Sequence, residues 1–173
     1  EGSHEEGFHE AARRDKLRRI IELGIDPWGG RFDNRDWIAD IRRRQGEIRL
    51  QLESGDLVEL PAELGEEGFD LRQWKNEQGK GELSGPKVRA AGRVILQRDK
   101  GKLRFVDIQD RSGRIQLFIG KKQVGDADFE LAGLFDLGDI VGVDGELRYT
   151  NTGELTIFAE RLHFLCKSIE PPP

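Results

Sequence analysis

The second half of the chain is a succession of short segments in which apolar and polar residues alternate, and this pattern restricts the fold more than any other feature. The segments are KVRAAGRVILQR, LRFVDIQD, GRIQLFI, DIVGVDGELRYT and ELTIFAERLHFL, and turn signals separate them. A period of two is typical of β-strands with one buried face. One helical segment, DADFELAGLFD, falls between the third and fourth strands. The sequence therefore predicts a mainly β domain over residues 87–167.

Five strands with one helix between the third and the fourth describe a small Greek-key barrel, the OB-fold. The predicted fold class is therefore mainly β, with a five-stranded OB-fold barrel and a helical N-terminal appendage. The first strand is long enough to bend, and we expect the bend at Gly92.

The DRSG turn between the second and third strands leaves a loop of two residues, which fixes the register of this hairpin. Val106 then lies opposite Leu117, and Ile108 lies opposite Ile115, so these four residues form an apolar face for the barrel interior. In the last strand, Leu155, Ile157 and Ala159 are expected on the inner face by the same alternation.

The outer face of the predicted barrel carries an unusual set of side chains. Phe105 and Gln116 are diagonal neighbours there, and Glu154 joins them at the start of the last strand. An aromatic ring can stack an unpaired base for about 1–3 kcal/mol, and an amide beside a carboxylate can bind its Watson–Crick edge. Uracil suits this arrangement, because its ring N–H could donate to Glu154 while its carbonyls accept from Gln116.

Basic residues border the same strands and could bind phosphates, namely Arg98, Lys100, Lys102 and Arg104. Strict alternation from Val94 and Leu96 points Arg98 into the barrel, so an outward position requires a bulge or the end of the strand. Exposed phenylalanine is also common at protein interfaces, and an interaction module without RNA binding therefore stays open.

The charge of the chain is unevenly distributed. The net charge is −5 overall, with −6 over residues 1–85 and +1 over residues 86–173. Phosphate binding normally requires a positive electrostatic potential, so the negative net charge argues against a general single-strand nucleic-acid binder. This alternative nevertheless stays open.

The first half of the chain is less regular. Residues 1–9 begin with EGSH, which resembles a tag remnant, and we expect them to be disordered. Over 10–45 a helix from Glu10 to Leu23 is expected to stop at Gly24, and a second should start near Asn34 or Asp36. Residues 46–60 could form a hairpin or continue that helix. The rest of 46–86 is rich in Gly and Glu and is interpreted as an acidic excursion or linker.

Other classes of function find little support in the sequence. The single cysteine, Cys166, cannot form an internal disulfide, and the three histidines are scattered without the spacing of metal ligands. No phosphate-binding loop, nucleophile elbow or long apolar run is present. We therefore expect no catalytic residue, metal, cofactor or membrane span in this chain, and a reducing, cytoplasmic location.

Three long motifs resemble the N-terminal anticodon-binding domain of class II lysyl-tRNA synthetases. They are KLRRIIELGIDPWGGRF, GRVILQRDKGKLRFVDIQDRSGRIQLFIGKKQVG and FDLGDIVGVDGELRYTNTGELTIFAERLHFLCKSIEPPP. The resemblance covers roughly residues 13–45 and 87–173, whereas residues 46–80 match no pattern. It implies an OB-fold that binds the tRNA anticodon stem-loop and reads the central uridine.

Carried over by position, the resemblance places the stacking aromatic at Phe105 and the base-reading glutamine at Gln116. The acidic contact falls on Glu154 and the anticodon arginine on Arg98. The related aspartyl and asparaginyl enzymes share the fold and the same central uridine, so either could be the parent instead. The lysyl assignment depends on GIDPWGGRF and KSIEPPP.

The resemblance also implies properties of a longer parent enzyme. Residues 168–173 would be a linker to a catalytic domain that uses ATP and Mg²⁺ to charge tRNA(Lys) with lysine, and the whole enzyme would be a homodimer. We expect no aminoacylation by this chain alone.

Overall fold

The computed structural model describes the backbone of residues 2–168 and the side chains of residues 7–168. The helices are α1 (Gly2–Glu22), α2 (Ile38–Arg43), α3 (Leu71–Gln78), α4 (Lys121–Val124) and α5 (Asp126–Ala132), and a 3₁₀ turn spans Arg44–Glu47. The strands are β1 (Arg49–Leu52), β2 (Leu57–Glu59), β3 (Gly81–Ser84), β4 (Lys87–Lys100), β5 (Leu103–Asp110), β6 (Gly113–Gly120), β7 (Ile140–Tyr149) and β8 (Leu155–Cys166).

Five strands close into a barrel in the order β4-β5-β6-β8-β7, and β7 returns to β4. All neighbours are antiparallel except β6 and β8, which run parallel. Helices α4 and α5 lie between β6 and β7 in the chain, and α5 corresponds to the predicted helix. The mainly β class and the five-stranded OB-fold are confirmed.

The register of the β5–β6 hairpin agrees with the prediction from its two-residue turn. Val106 pairs with Leu117 and Ile108 with Ile115, and all four side chains are buried in the barrel interior. The inner face of β8 is also as expected, with Leu155, Ile157 and Ala159 buried. Alternation over one buried face is enough to fix these positions.

An irregularity in β4 decides where Arg98 points. Val94 pairs with Ile108 and Leu96 with Asp107, so Ile95 is an extra residue in the pairing with β5. This β-bulge reverses the facing of the rest of the strand, and Arg98 lies exposed opposite Phe105. The shift begins two residues after the bend predicted at Gly92. A Cβ on that glycine would lie 2.9 Å from the carbonyl oxygen of Gln109, so Gly92 permits a close approach of β5.

The N-terminal helix is longer than predicted. Helix α1 begins at Gly2, so the expectation that residues 1–9 are disordered is wrong for residues 2–9. It ends at Glu22, and Gly24 follows with a φ of +80°, a conformation that favours glycine after a helix.

Residues 49–84 are a folded unit, which we call the appendage, and the interpretation of this stretch as a linker is wrong. Its strands form a sheet in the order β2-β1-β3, so the region after Gly46 is a hairpin and not a continued helix. Leu50, Leu71 and Leu83 are buried in the same apolar core as the barrel. These leucines are widely spaced among glycines and glutamates, which explains why the segment resembles a linker in the sequence.

Two residues of the β5–β6 turn hold the start of α2. The Oδ2 atom of Asp110 accepts from the backbone N–H of Ile38 at 2.9 Å, and Oγ of Ser112 accepts from that of Ala39 at 3.0 Å. The side chain of Trp37, which precedes the helix, makes no capping hydrogen bond. Helix α2 is therefore capped by the barrel and not by its own flanking residues.

A buried ion cluster fixes α1 against the end of β8. The Nζ atom of Lys167 lies 2.7 Å from Asp136 and 2.8 Å from Asp139, and the side chains of Lys167 and Asp139 are fully buried. Lys16 of α1 also binds Asp136 at 2.7 Å. Burial disfavours the ionised form of Asp136, but hydrogen bonds from Lys16 and Lys167 outweigh it and lower the pKa of that carboxyl.

Among residues 2–168, no helix is both long and apolar enough to cross a membrane. The linker expected at residues 168–173 falls, from residue 169 onward, outside the described residues.

Candidate nucleic-acid interface

An open cleft of about 960 Å³ lies on the outer face of the barrel, across β5, β6, β8 and the end of β7. Five of the six residues predicted for the site line it, namely Arg98, Lys100, Phe105, Gln116 and Glu154. The sixth, Lys102, is exposed in the turn between β4 and β5 and does not line the cleft. Arg104 is held by Asp99 at 2.9 Å and lies over the ring of Phe129.

Three aromatic rings form a row across the cleft. The ring of Phe105 on β5 meets that of Phe118 on β6 edge to face, with centroids 5.5 Å apart. Phe118 lies 5.0 Å from Phe158 of β8, at an interplanar angle of 39°. Phe105 is half-buried, and its ring lies outside the barrel interior and among the residues that line the cleft. The row presents an apolar surface on which planar groups can stack.

The amide of Gln116 is held at both ends. Its Oε1 accepts from Arg98 at 3.2 Å, and its Nε2 donates to Oγ1 of Thr156 at 3.0 Å. Gln116 is 9% exposed and Thr156 is fully buried, so neither amide orientation nor rotamer is free to vary at the bottom of the cleft. One acceptor lone pair and one N–H of the amide stay available to a ligand.

Glu154 has a fixed backbone and a free carboxylate. Its N–H donates to Oγ1 of Thr150, and its carbonyl accepts from the N–H of Thr150 at 2.9 Å and from Oγ1 of Thr156 at 3.0 Å. Among the side chains of residues 7–168, none forms an ion pair with its carboxylate, which is exposed at the rim of the cleft. Thr156 therefore links the backbone of Glu154 to the amide of Gln116.

Cations surround the aromatic row. The guanidinium carbon of Arg98 lies 5.5 Å from the centroid of Phe105, and Nζ of Lys100 lies 5.8 Å from it. Arg148 of β7 lies over Phe158, with its guanidinium carbon 4.1 Å from the ring centroid. A ligand stacked on the row would therefore have positive groups near it at both ends of the row.

A tyrosine closes one side of the cleft. Tyr149 is the last residue of β7, and its hydroxyl donates to Oε1 of Gln45 at 2.8 Å. Burial raises its pKa above the ordinary value of 10.0, so the phenol stays neutral at physiological pH.

Sequence reasoning missed several residues of the cleft and also Thr156, which holds Gln116. Phe158 and Thr156 could have been found, because the inner positions of β8 place both on the same outer face as Glu154. Arg148 follows from the same argument, since its neighbour Leu147 is buried. Lys75 of α3 also lines the cleft, and no local signal predicts it because only the packing of the appendage brings it there.

Comparison with known proteins agrees with this geometry. Residues 88–165 match the tRNA anti-codon family, described as an OB-fold nucleic acid binding domain. The barrel is therefore similar to the OB-fold domains of this family. The match begins one residue into β4 and ends one residue before the end of β8, so it covers the whole OB-fold domain and excludes the appendage.

The chain is also similar to lysine–tRNA ligases of Staphylococcus aureus. Those of strains Mu3, N315 and NCTC 8325 are each 37% identical to it over 161 residues, which is 93% of this chain. The aligned part is 27% of each ligase, so the chain spans about a quarter of the length of these relatives. The OB-fold domain is thus homologous to a part of lysine–tRNA ligases.

Proposed function

We propose that this chain is the anticodon-binding part of a lysine–tRNA ligase and that it reads the central uridine of the tRNA(Lys) anticodon. The row of aromatic rings beside a fixed glutamine and a free carboxylate carries the proposal. Both the family match and the ligase relatives support binding of tRNA.

In the proposed complex, Phe105 stacks one base of the anticodon loop and excludes water from one of its faces. Base stacking on an aromatic side chain contributes about 1–3 kcal/mol and tolerates any base. Stacking therefore supplies affinity, and the polar groups beside the ring must supply the choice of base.

Uracil matches those polar groups. Its ring N–H can donate to the carboxylate of Glu154, and one of its carbonyls can accept the remaining N–H of Gln116 or an N–H of Arg98. Cytosine would turn a ring lone pair toward the carboxylate, and the resulting unpaired acceptors would be costly in a partly buried site. The hydrogen bond that the amide accepts from Arg98 and the one that it donates to Thr156 orient it before RNA arrives, which reduces the entropy lost on binding.

Lys100 would bind the phosphates that flank the stacked base, and Lys102 in the neighbouring turn would extend this contact. Phosphate contacts position the loop but carry no sequence information.

The remaining properties belong to the whole ligase in this proposal. It would attach lysine to tRNA(Lys) with ATP and Mg²⁺, act as a homodimer and work in the cytoplasm. We assign no residue of this chain to ATP or Mg²⁺ and expect no aminoacylation by the chain alone.

Titration of anticodon stem-loops tests the proposal. We expect the lysine-accepting stem-loop to bind more tightly than one with the central U changed to C, by about 1–3 kcal/mol. Equal affinity for the two loops, with a steep dependence on salt, would instead indicate a general single-strand binder. Stem-loops of the aspartate and asparagine tRNAs share the central uridine. Their affinities show whether the bases that flank the uridine restrict binding to the lysine tRNA.

A further inference from the structure

The cleft on the barrel continues into a second open groove that lies against the appendage. Lys75, Leu83 and Arg148 line both, so the two form one continuous surface. One side of this surface is the end of β7, and the other is α3 together with β3. The appendage is therefore beside the candidate RNA site, although it lies outside the matched family domain.

The positive and negative residues of the appendage are unevenly distributed between this groove and the rest of its surface. Residues 49–84 carry nine Asp or Glu and only four Lys or Arg. Three of the four cations line the groove, namely Arg72, Lys75 and Lys80, and the fourth, Arg49, lies 3.8 Å from Glu59. Only two of the nine acids, Glu53 and Glu82, line it. An acidic unit thus presents most of its positive charge to one surface.

The three groove cations have no ion-pair partner in the described part of the chain. Among the side chains of residues 7–168, none forms an ion pair with Arg72, Lys75 or Lys80. Arg148, where the cleft and groove meet, has its Nε 3.7 Å from Glu146 and its guanidinium over Phe158. Arg72, Lys75 and Lys80 are therefore the cations available to an anionic ligand.

Helix α3 is held firmly enough to position Arg72 and Lys75. Asp70 caps it by accepting from the N–H of Gln73 at 3.1 Å, and Leu71 is buried. Arg72 and Lys75 are three residues apart and therefore lie on the same side of the helix.

Gly85 and Pro86, which directly follow the appendage, join it to the barrel. The N–H of Gly85 donates to Glu146 at 2.9 Å, and that of Leu147 donates to the carbonyl of Pro86 at 3.0 Å. A Cβ on Gly85 would lie 1.8 Å from the carbonyl oxygen of Leu147, so the two backbones are in close contact. The groove cations thus have a fixed relation to the cleft.

From these observations we infer that the appendage binds the phosphate backbone of the RNA stem that extends from the loop held on the barrel. The inference rests on the proposed function, because the loop in the cleft directs the stem into the groove. Arg148 bridges the two parts, and Arg72, Lys75 and Lys80 contact successive phosphates. An RNA backbone fits this surface because phosphate recognition requires a row of unpaired cations and no base-specific geometry.

The test compares two triple variants of equal charge. One is Arg72→Ala, Lys75→Ala and Lys80→Ala, and its matched control is Arg14→Ala, Arg18→Ala and Arg31→Ala, which removes three exposed cations outside the groove. Each is titrated over a salt series with the lysine-accepting stem-loop and with the loop strand alone. Circular dichroism melting checks that both variants stay folded.

For the groove variant we expect about tenfold weaker stem-loop binding, and a slope of log affinity against log salt that is shallower by about 2–3. The preference for U over C should match that of the control, and binding of the loop strand should fall less than binding of the stem-loop, because Lys75 alone of the three also lines the cleft. Stem-loop affinity and slope equal to the control, with the U preference intact, would overturn the inference and leave the proposed function standing. No binding of the stem-loop by the unmodified protein would instead remove the proposed function and the inference with it.

Discussion

Arg98 on β4 lies directly opposite Phe105 on β5, and its guanidinium carbon is 5.5 Å from the ring centroid. One of its guanidinium nitrogens donates a hydrogen bond to Gln116. The arginine thus contacts both the ring proposed to stack a base and the amide proposed to read it. The arrangement places cation, ring and amide close enough to act on a single nucleotide.

Replacement of Phe105 by Ala should weaken binding of the anticodon loop by about 1–3 kcal/mol and leave the barrel folded, because the ring lies on the outer face. Isothermal titration and urea denaturation measure the two effects. Ile108→Ala is the control for the inner face, and it should lower the free energy of unfolding by about 2–5 kcal/mol. Unfolding of the Phe105 variant would show that the ring supports the core instead.

Thr156 should affect base choice without contacting the base. Thr156→Val removes the hydroxyl that accepts from Gln116 and donates to the carbonyl of Glu154, so the amide loses its fixed orientation. We expect the difference in affinity between U and C loops to fall by more than half. Thr156→Ser keeps the hydroxyl and should keep the difference. Identical behaviour of the two variants would show that Thr156 has only a packing role.

The capping carboxylate of Asp110 should make stability depend on pH. Burial opposes its ionisation, but hydrogen bonds from Ser112 and from the N–H groups of Ile38, Ser112 and Gly113 outweigh burial and lower its pKa below 3.8. A depressed pKa in the folded state gives stability that is fully present above the unfolded pKa and is lost as the pH falls through the folded one.

Asp110→Ala should therefore cost about 1–2 kcal/mol of unfolding free energy at neutral pH, where the carboxylate caps α2. The difference in unfolding free energy between the variant and the unmodified protein should decrease as the pH falls below about 4. Urea titrations at several pH values measure this difference. Asp33→Ala changes an exposed carboxylate and should stay within about 0.5 kcal/mol. A constant gap at every pH would mean that the charge of Asp110 is unimportant.

Lys167→Met should destabilise the protein by about 3–5 kcal/mol, because it leaves the fully buried Asp139 without its ion-pair partner. Thermal or urea unfolding measures the loss. Lys16→Met also removes a partner of Asp136, but this lysine is partly exposed and the cost should be below about 1 kcal/mol. Equal effects of the two substitutions would argue against a special role for the buried pair.

The inner residues of the barrel could be predicted from sequence because two simple constraints act on them. A two-residue turn fixes the register of β5 and β6, and one buried face requires strict alternation. The outward position of Arg98 could not be predicted in this way. Val94, Ile95 and Leu96 are all apolar, so the sequence does not show which of them is the extra residue.

The fold of the appendage cannot be predicted from local sequence, for a different physical reason. Its core leucines lie 12 or more residues apart and are buried only when β1, β3 and α3 come together. Local composition, rich in Gly and Glu, is then a poor guide, because the burial arises from contacts between distant segments. The position of Lys75 beside the cleft depends on the same contacts.

The bulge at Ile95 has an electrostatic consequence. In a regular strand with the same amino acids, Gln97 would lie opposite Phe105, and Asp99 would be the next side chain on that face. The cleft would then display a carboxylate where it now displays a guanidinium and an ammonium group. A single backbone irregularity, without any change in composition, therefore decides whether this edge of the barrel attracts or repels a polyanion.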